Sequence, residues 1–412
     1  MMLLKMAWRN LWKNRRRTLI TMSMISIGFG LAMISMGLGD GGHNQMIRNA
    51  VRLGSGNLTV EHEDYVEEPT NDKLLADSAA LAEEVRRMQG IRNVSERILV
   101  LGLIYTAENS VGLVIFGVDP ANDMMRDSLE PKIVEGTYLK SEDARGIVMG
   151  ADLARKLKVA VGGKAVITAQ DASGQISSQL VRVQGIYRTG IEELDGYFAE
   201  INLGLGRALL GIPHGATQLA VFLENEKEQA RIKKELEPLV SSEPTVAVFD
   251  WQEVMPELVL FVNMDNAFNY IFLGIILVIV ALGILNTILM SVLERTREFG
   301  LMAALGLAPG GLVGLVVLET TLLALVALGA GSILGFAGHL YLARHGLDIG
   351  AASQEQMSAA GVAIDPIIYS QLAPERFFLL LGIAFWVTIL VGIYPAVRAA
   401  RVDPVRAMTK FK

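Results

Sequence analysis

Long uninterrupted apolar runs dominate the pattern of hydrophobic and polar positions in this 412-residue chain. A helix that spans a lipid bilayer needs about 20 mostly apolar residues. Four runs reach that length, and polar or charged residues bound each of them: 18–38, 268–293, 312–342 and 377–397. The pattern therefore predicts four membrane-spanning helices.

The segment 39–267, between the first two runs, has a different pattern of short alternating stretches and polar turns. Residues 58–61 predict a strand, 97–118 predict two or three strands, and 76–88 and 226–240 predict helices. Short strands mixed with short helices are typical of an α+β domain, and we expect one with two lobes. The predicted fold class is therefore an α-helical membrane protein with an inserted α+β domain.

Basic residues lie outside the first and last runs. Before residue 18 they are Lys5, Arg9, Lys13 and Arg15–Arg17, and after residue 397 they are Arg398, Arg401, Arg406, Lys410 and Lys412, against the single acidic residue Asp403. Flanking Lys and Arg favour the cytoplasmic side, so we expect both termini in the cytoplasm and the acidic segment 39–267 outside. The first run is longer than the core of a signal peptide and has no small-residue cleavage site, so we expect a retained anchor.

Candidate catalytic chemistry is sparse. The chain is 51% hydrophobic and only 19% charged, and it has no cysteine, which excludes disulfides and thiolate chemistry. His43, His62 and His214 lack metal-ligand spacing, and no P-loop or other catalytic motif occurs. We therefore expect no catalytic, cofactor or metal site in this chain, and no partner of the nucleic-acid class.

Two polar residues lie inside the predicted spans. Glu319 is in the third run, where an ionisable group costs about 2.5–3.5 kcal/mol to insert and is a functional candidate. The alternative is a structural glutamate, hydrogen-bonded to threonines or a neighbouring helix and close enough to the cytoplasm to snorkel. Asn286, in the second run, is typical of a residue that joins helices by a hydrogen bond.

The stretch 294–311 joins the second and third runs, with the sequence ERTREFGLMAALGLAPGG. Its mixed-charge head continues into a short amphipathic helix, which Pro309 and the glycines end. One interpretation is a solvated turn with a salt-bridged face. Against it, Phe299, Leu301, Met302 and Leu305 are large apolar residues at a predicted cytoplasmic surface, so we expect this stretch to dock on a partner.

The same stretch resembles the ER-x-x-E-I-G-x-x-x-A-L-G-A motif of MacB/FtsX-like ABC permeases, which include the lipoprotein-releasing LolC/LolE type. Phe299 stands where that family favours Ile, and Leu307 where it favours Ala. Residues 7–19, 317–335 and 392–408 are similar to the family's amphipathic N-terminal helix, third span with its Glu, and terminal pattern. The segment GIVMGADLARKLKVAVGGKAVI resembles its periplasmic core. The resemblance covers essentially the whole chain.

The resemblance implies a multi-pass permease of the bacterial inner membrane that pairs with a second, identical or homologous, permease chain. It also implies a cytoplasmic ABC ATPase dimer that binds the ATP, so that this chain has no cofactor of its own. Membrane lipid is a further expected contact, at Arg15–Arg17. The resemblance further implies that the ATPase docks on the coupling loop, with Phe299 and Leu301 inserting into it. The implied docking residues are Glu294, Arg295, Arg297, Glu298, Phe299 and Leu301.

The implied function is transport or extraction of a lipoprotein, lipid or other amphiphile, passed to a periplasmic carrier or adaptor by motion of the outside domain. Two alternatives stay open: an FtsX-like regulator of a periplasmic cell-wall hydrolase, and peptide or drug efflux through an outer-membrane duct. The expected organisation is a cytoplasmic amphipathic segment (1–17), span one (18–38), a periplasmic MacB-like domain (39–267), span two (268–293), a coupling loop (294–311), span three (312–342), a short periplasmic loop (343–376), span four (377–397) and a cytoplasmic tail (398–412).

Overall fold

The computed structural model describes residues 2–241, 243–349, 358–359, 362–363 and 366–401. The predicted tail beyond residue 401, with the last part of the terminal motif, and much of the predicted loop 343–376 lie outside the described residues. The chain divides into two compact units. The helical unit contains Met1–His43, Asn263–Ile349 and Ile367–Lys412, and the inserted domain contains Asn44–Val262 with Gly350–Pro366.

The α-helices are α1 (Met2–Leu11), α2 (Arg15–Leu53), α3 (Ser78–Arg86), α4 (Met124–Leu129), α5 (Ala151–Leu157), α6 (Glu192–Tyr197), α7 (Leu203–Leu210), α8 (Gln229–Val240), α9 (Trp251–Val254), α10 (Pro256–Glu294), α11 (Thr296–Ala304), α12 (Pro309–His345) and α13 (Pro374–Ala400). The strands are β1 (Leu58–His62), β2 (Ile91–Tyr105), β3 (Ser110–Val118), β4 (Ile133–Gly136), β5 (Gly146–Gly150), β6 (Lys164–Gln170), β7 (Ile176–Tyr187), β8 (Phe198–Asn202), β9 (Gln218–Leu223) and β10 (Val246–Asp250), followed by the two-residue strands β11 (Leu347–Asp348), β12 (Ser358–Ala359), β13 (Val362–Ala363) and β14 (Ile367–Ile368).

Four helices of the described chain are long and apolar enough to cross a membrane: α2, α10, α12 and α13. Their most apolar windows have mean hydropathies of 1.9, 2.8, 2.3 and 2.4. The prediction of four candidate spanning helices is confirmed, because each predicted apolar run lies within one of them. The exact points where each helix enters and leaves a bilayer stay predictions.

In the helical unit, α2 and α12 approach closely through glycines of α12. A Cβ atom added at Gly331 would lie 2.9 Å from the backbone oxygen of Ser26, and one at Gly335 would lie 2.6 Å from Sδ of Met33. The Ser26 hydroxyl donates a hydrogen bond of 2.7 Å to the carbonyl of Ala327. Small residues let helix backbones approach and exchange such bonds in a bilayer. These glycines therefore serve helix packing.

The larger part of the inserted domain is a closed ring of six strands. In the order β2, β3, β8, β5, β7 and β6, each strand pairs with the next, and β6 returns to β2. The strands and the two helices α5 and α7 share one apolar cluster, which includes Ile98, Ile115, Ile147, Leu153 and Leu209, all fully buried. Closure leaves no free edge among these strands, which removes a site for unwanted strand addition.

A second apolar core belongs to a small antiparallel sheet of the order β10, β1, β9 and β2. Helices α3 and α8 cover it, with Val85, Ile232 and Leu236 packed against Leu58 and Val60. The two cores share the 15-residue strand β2. Its first half pairs with β9 and its second half with β3 and β6. The predicted α+β class is confirmed, and the division of this domain into two lobes stays a prediction.

Arg97 lies at the middle of β2, where pairing changes from one sheet to the other. It is fully buried, and its Nε and Nη2 lie 2.8 and 2.6 Å from the two carboxylate oxygens of Asp123. Its Nη1 donates a hydrogen bond to the carbonyl of Gly54, directly after α2. A buried charge needs such a partner, because unpaired charge is costly in the interior. Arg97 therefore fixes the end of α2 to the shared strand.

A break at Met255 separates α9 from α10. Asp250 caps α9 with a capping box, since its side chain accepts bonds from Gln252 and Glu253 while Glu253 bonds back to the Asp250 backbone. Pro256 then begins α10. Proline has no N–H to donate and a fixed φ, so it favours the first position of a new helix over the interior of an old one.

Candidate functional site

The predicted coupling loop is a short helix between two long ones. Helix α10 ends at Glu294, α11 begins at Thr296, and Arg295 lies between them. The chain leaves α11 through Gly306, whose φ of +98° suits glycine, and Pro309 starts α12. We call residues 294–305 the docking segment.

Phe299 lies on the inner face of the docking segment, with only 1% of its surface exposed. It belongs to an apolar cluster with residues of α1, α10, α12 and α13: Ala7, Val292, Leu312, Leu315, Val316, Ala396 and Ala399. The resemblance implies that this ring inserts into the ATPase. The structure instead buries it in its own chain, because α11 lies against the ends of the surrounding helices. The buried Phe299 ring thus holds α11 against these four helices.

The outer face of the docking segment carries Arg297 and Leu301, which are one turn apart on α11, and Leu305, which lies directly after α11. Leu301 is 53% exposed and Leu305 is 80% exposed. Arg297 is also exposed. We call these three residues the docking face. This face therefore presents two exposed apolar side chains next to a cation, on a segment whose opposite side is buried.

Arg295 and Glu319 form the central ion pair of the site. Nη1 of Arg295 lies 3.0 and 2.9 Å from the two carboxylate oxygens of Glu319, and Nδ2 of Asn10 donates a 2.7 Å hydrogen bond to the same carboxylate. The side chains of Arg295 and Glu319 are only 9% and 15% exposed. Glu319 therefore joins α1, α12 and the docking segment, which agrees with the structural interpretation of this residue.

Further ion pairs connect the docking segment to the basic N-terminal region. Nη1 of Arg17 lies 2.6 Å from Oε2 of Glu294, and Lys13 pairs with Glu298. Nε of Arg295 lies 3.1 Å from the other oxygen of Glu298. The Lys13 hydrogen bond is the main cause that lowers the pKa of Glu298, opposed by burial and helped by Arg295. Glu298 consequently stays ionised and bridges two cations.

Asn286 is exposed on α10. Within the part of the chain that the structure describes, its amide has no hydrogen-bond partner. The expected hydrogen bond from Asn286 to a neighbouring helix of the same chain is therefore not present there.

Sequence reasoning did not find the N-terminal partners of this site, namely Asn10, Lys13 and Arg17. The basic run before the first span indicates orientation, and nothing in its local pattern distinguishes the paired cations from the rest. Leu305 could have been recognised, because it follows Arg297 and Leu301 at the same helical interval. Across residues 2–241, 243–349 and 366–401, no group of three or more His, Asp or Glu residues could hold a metal ion.

Two family models match this chain. The model of the MacB-like periplasmic core domain matches residues 18–239, and the model of the FtsX-like permease C-terminal region matches residues 270–404. The first covers more than half of the chain. The chain therefore belongs to the MacB/FtsX-like family, as an ABC transporter permease of the MacB, LolC and FtsX type.

Individual relatives are distant in sequence but similar over long stretches. The lipoprotein-releasing system transmembrane protein LolC of Haemophilus influenzae is 25% identical over 310 residues, which are 74% of this chain and 72% of LolC. The uncharacterized ABC transporter permease YknZ of Bacillus subtilis is 22% identical over 98% of both chains. The macrolide export ATP-binding/permease protein MacB of Sodalis glossinidius is 25% identical over 98% of this chain, which spans 60% of that protein.

Among solved structures, the periplasmic region of MacB from Actinobacillus actinomycetemcomitans matches 50% of this chain and 94% of its own length. The sequence identity is 12% and the TM-score is 0.37.

Proposed function

We propose that this permease is driven by a separate ATPase that binds the docking face. The observation that carries this proposal is the two-sided docking segment, with Leu301 and Leu305 exposed and Phe299 buried among four helices. A force applied to the outer face passes to the inner face, because protein interiors are densely packed and resist compression. The Arg295–Glu319 pair carries the same motion to α12 and α1.

The expected orientation places both termini and the docking segment in the cytoplasm of the inner membrane, and the inserted domain outside. The support comes from the basic residues of α1 and the start of α2, together with the acidic surplus of residues 39–267. Exposed Trp8 and Trp12 on and after α1 also favour a position at the membrane surface, where indole rings concentrate. The effect of ATP binding to the ATPase would then be passed to this chain at the docking face.

The cargo that we propose is amphiphilic, such as a lipoprotein or a lipid, handed to a periplasmic carrier or adaptor by the inserted domain. LolC is named for lipoprotein release, and its 25% identical match covers 74% of this chain. The alternatives are peptide or drug export through an outer-membrane duct, favoured by the likeness to a macrolide exporter, and regulation of a cell-wall hydrolase. The inserted domain is larger than we expect for a regulator, so transport is the stronger proposal.

Co-purification with the cognate ATPase tests the proposal. We expect the chain alone to show no ATP turnover, and the complex to hydrolyse ATP at a rate that depends on both proteins. Contaminant-free ATP turnover by the chain alone would contradict it. So would the failure of the ATPase to bind the correctly inserted chain.

A further inference from the structure

A groove between α2 and α10 is lined by apolar residues and a single serine, and its volume is about 570 Å³. Its wall on α10 consists of Ile276, Ile279 and Val280. Its wall on α2 follows two rows in which successive residues are four apart and therefore share one face of the helix. The rows are Leu19, Ser23 and Ile27 in one, and Ile20, Met24 and Gly28 in the other. The volume lies within the range of about 300–1,000 Å³ that is typical of sites for small molecules.

Two cations continue the α2 wall of the groove at one end. Arg15 lies four residues before Leu19 and Arg16 lies four residues before Ile20, and the two arginines are the first residues of α2. Each therefore shares a face of the helix with one row of the groove. An apolar groove that leads to a pair of cations suits a ligand with a long apolar chain and an anionic head.

Arg15 and Arg16 are exposed, and among the described residues neither has an ion-pair partner. Arg17 differs, because its guanidinium donates hydrogen bonds of 2.6 Å to Glu294 and to Ser291. The first turn of a helix carries partial positive charge from the helix dipole, which disfavours cations there and favours anions. Arg15 and Arg16 are therefore the two arginines of the run that need an anion from outside the described chain.

The length of the groove matches one leaflet of a bilayer. The step from Arg16 to Gly28 corresponds to about 18 Å of helix at about 1.5 Å per residue. Half of a hydrocarbon core of ~30 Å is about 15 Å. At Gly28 the two helices touch, since a Cβ atom added there would lie 2.7 Å from Cγ2 of Val280. The groove thus extends from the cations to about the depth that the chains of one leaflet reach.

We propose that this groove holds an anionic phospholipid of the cytoplasmic leaflet, with its phosphate at Arg15 and Arg16 and one acyl chain along the groove as far as Gly28. This lipid is a resident component of the helical unit and is not the cargo. The apolar walls fit the chain of any lipid, and the two cations select an anionic headgroup. The assignment to this leaflet rests on the proposed function, because the orientation given there places the start of α2 on the cytoplasmic side.

Native mass spectrometry of the full chain in detergent tests the headgroup, with dioleoyl phosphatidylglycerol as the anionic probe and dioleoyl phosphatidylcholine as the zwitterionic one. The wild type should bind the anionic lipid in preference. Arg15→Gln/Arg16→Gln should weaken that binding about 30-fold, which is about 1 kcal/mol for each cation. The control Arg9→Gln/Arg398→Gln removes two exposed cations from α1 and α13 and should bind like the wild type. Equal binding of both lipids by the wild type, or equal losses in the two double variants, would overturn the proposal.

The acyl chain is tested by filling the groove. Ser23→Phe should weaken binding of dioleoyl phosphatidylglycerol by about tenfold or more, because the ring displaces several CH₂ groups of the lipid. Ile333→Phe, at a 73% exposed position of α12, is the matched control and should bind normally. Inorganic phosphate should not displace the lipid, since phosphate cannot occupy the groove. Normal binding by Ser23→Phe, or displacement by phosphate, would show an anion site without a chain and contradict the proposal.

A protein occupant of the groove is tested by Ser23→Cys, because the chain has no native cysteine. Oxidation in native membranes should leave this variant monomeric. A disulfide between two copies would show that a second chain fills the groove, and it would overturn the lipid assignment. Co-purification of the ATPase from the same preparations tests the proposed function separately, so that either proposal can fail while the other stands.

Discussion

Arg295 holds both carboxylate oxygens of Glu319, at 3.0 and 2.9 Å from a single guanidinium nitrogen, and so ties the docking segment to the third long helix. Both side chains are largely buried. The pair lies at the start of α11, next to the proposed docking face. Its integrity should therefore matter to coupling as well as to stability.

Replacing one residue of this pair should destabilise the protein more than replacing both. Arg295→Met leaves the Glu319 carboxylate without its main cation, and loss of one partner of a buried pair costs about 3–5 kcal/mol. The double variant Arg295→Met/Glu319→Leu should recover much of that loss. Thermal unfolding in detergent compares Arg295→Met, Glu319→Leu and the double variant with the wild type. Simple addition of the two single effects would show that the residues do not interact.

Phe299→Ala should destabilise the helical unit, because it empties a site at the junction of several helices. Truncation of a buried Phe typically costs about 3–5 kcal/mol. Leu301→Ala is the matched control, since that side chain is 53% exposed and most surface changes stay within about 0.5 kcal/mol. Unfolding of both variants in one detergent gives the comparison. Equal stability of the two would mean that Phe299 is not the anchor described above.

Accessibility of engineered cysteines tests the orientation. Ser173 is exposed in the inserted domain and Arg297 is exposed on the docking segment. In intact spheroplasts that lack the ATPase, an impermeant thiol reagent should label Ser173→Cys and leave Arg297→Cys unlabelled. After membrane disruption both should react. The reverse labelling would place the inserted domain in the cytoplasm.

The stability of the inserted domain should fall as the pH rises. Glu200 is 1% exposed, and among the described residues neither of its carboxylate oxygens accepts a hydrogen bond. Burial raises the pKa of Glu200 to about 8, and burial raises the pKa of Glu61 to about 8 as well. An unfolded glutamate has a pKa of about 4.3. The unfolded state therefore releases these protons first, and stability present at low pH is lost as the pH rises from about 4.3 through 8.

Calorimetry of the full chain at pH 5 and pH 8 measures this effect. The transition of the inserted domain should occur at a lower temperature at pH 8, and Glu200→Gln should reduce the difference, because an amide keeps the neutral shape without titrating. A wild-type transition that does not move with pH, or an unchanged difference in Glu200→Gln, would show that the carboxyl does not stay neutral in the fold.

The four long helices could be predicted because a bilayer demands continuous apolar runs, which local sequence displays directly. The closed strand ring could not, since β6 meets β2 through residues such as Ile104 and Ile167 that lie far apart in the chain. For α11, the sequence indicated an amphipathic helix but not which apolar face is buried. Phe299 and Leu301 are equally apolar locally, and only the packing of α1, α12 and α13 separates their roles.

The docking face is the central claim, and ATPase affinity tests it most directly. Leu301→Asp and Leu305→Asp should each weaken binding of the cognate ATPase by tenfold or more, since truncated interface anchors cost about 2 kcal/mol or more and about 1.4 kcal/mol is a factor of ten. Ile176→Asp, at an 81% exposed apolar position of the inserted domain, is the control and should bind like the wild type. If both docking-face variants insert normally and bind the ATPase with wild-type affinity, the docking face is not where the ATPase acts.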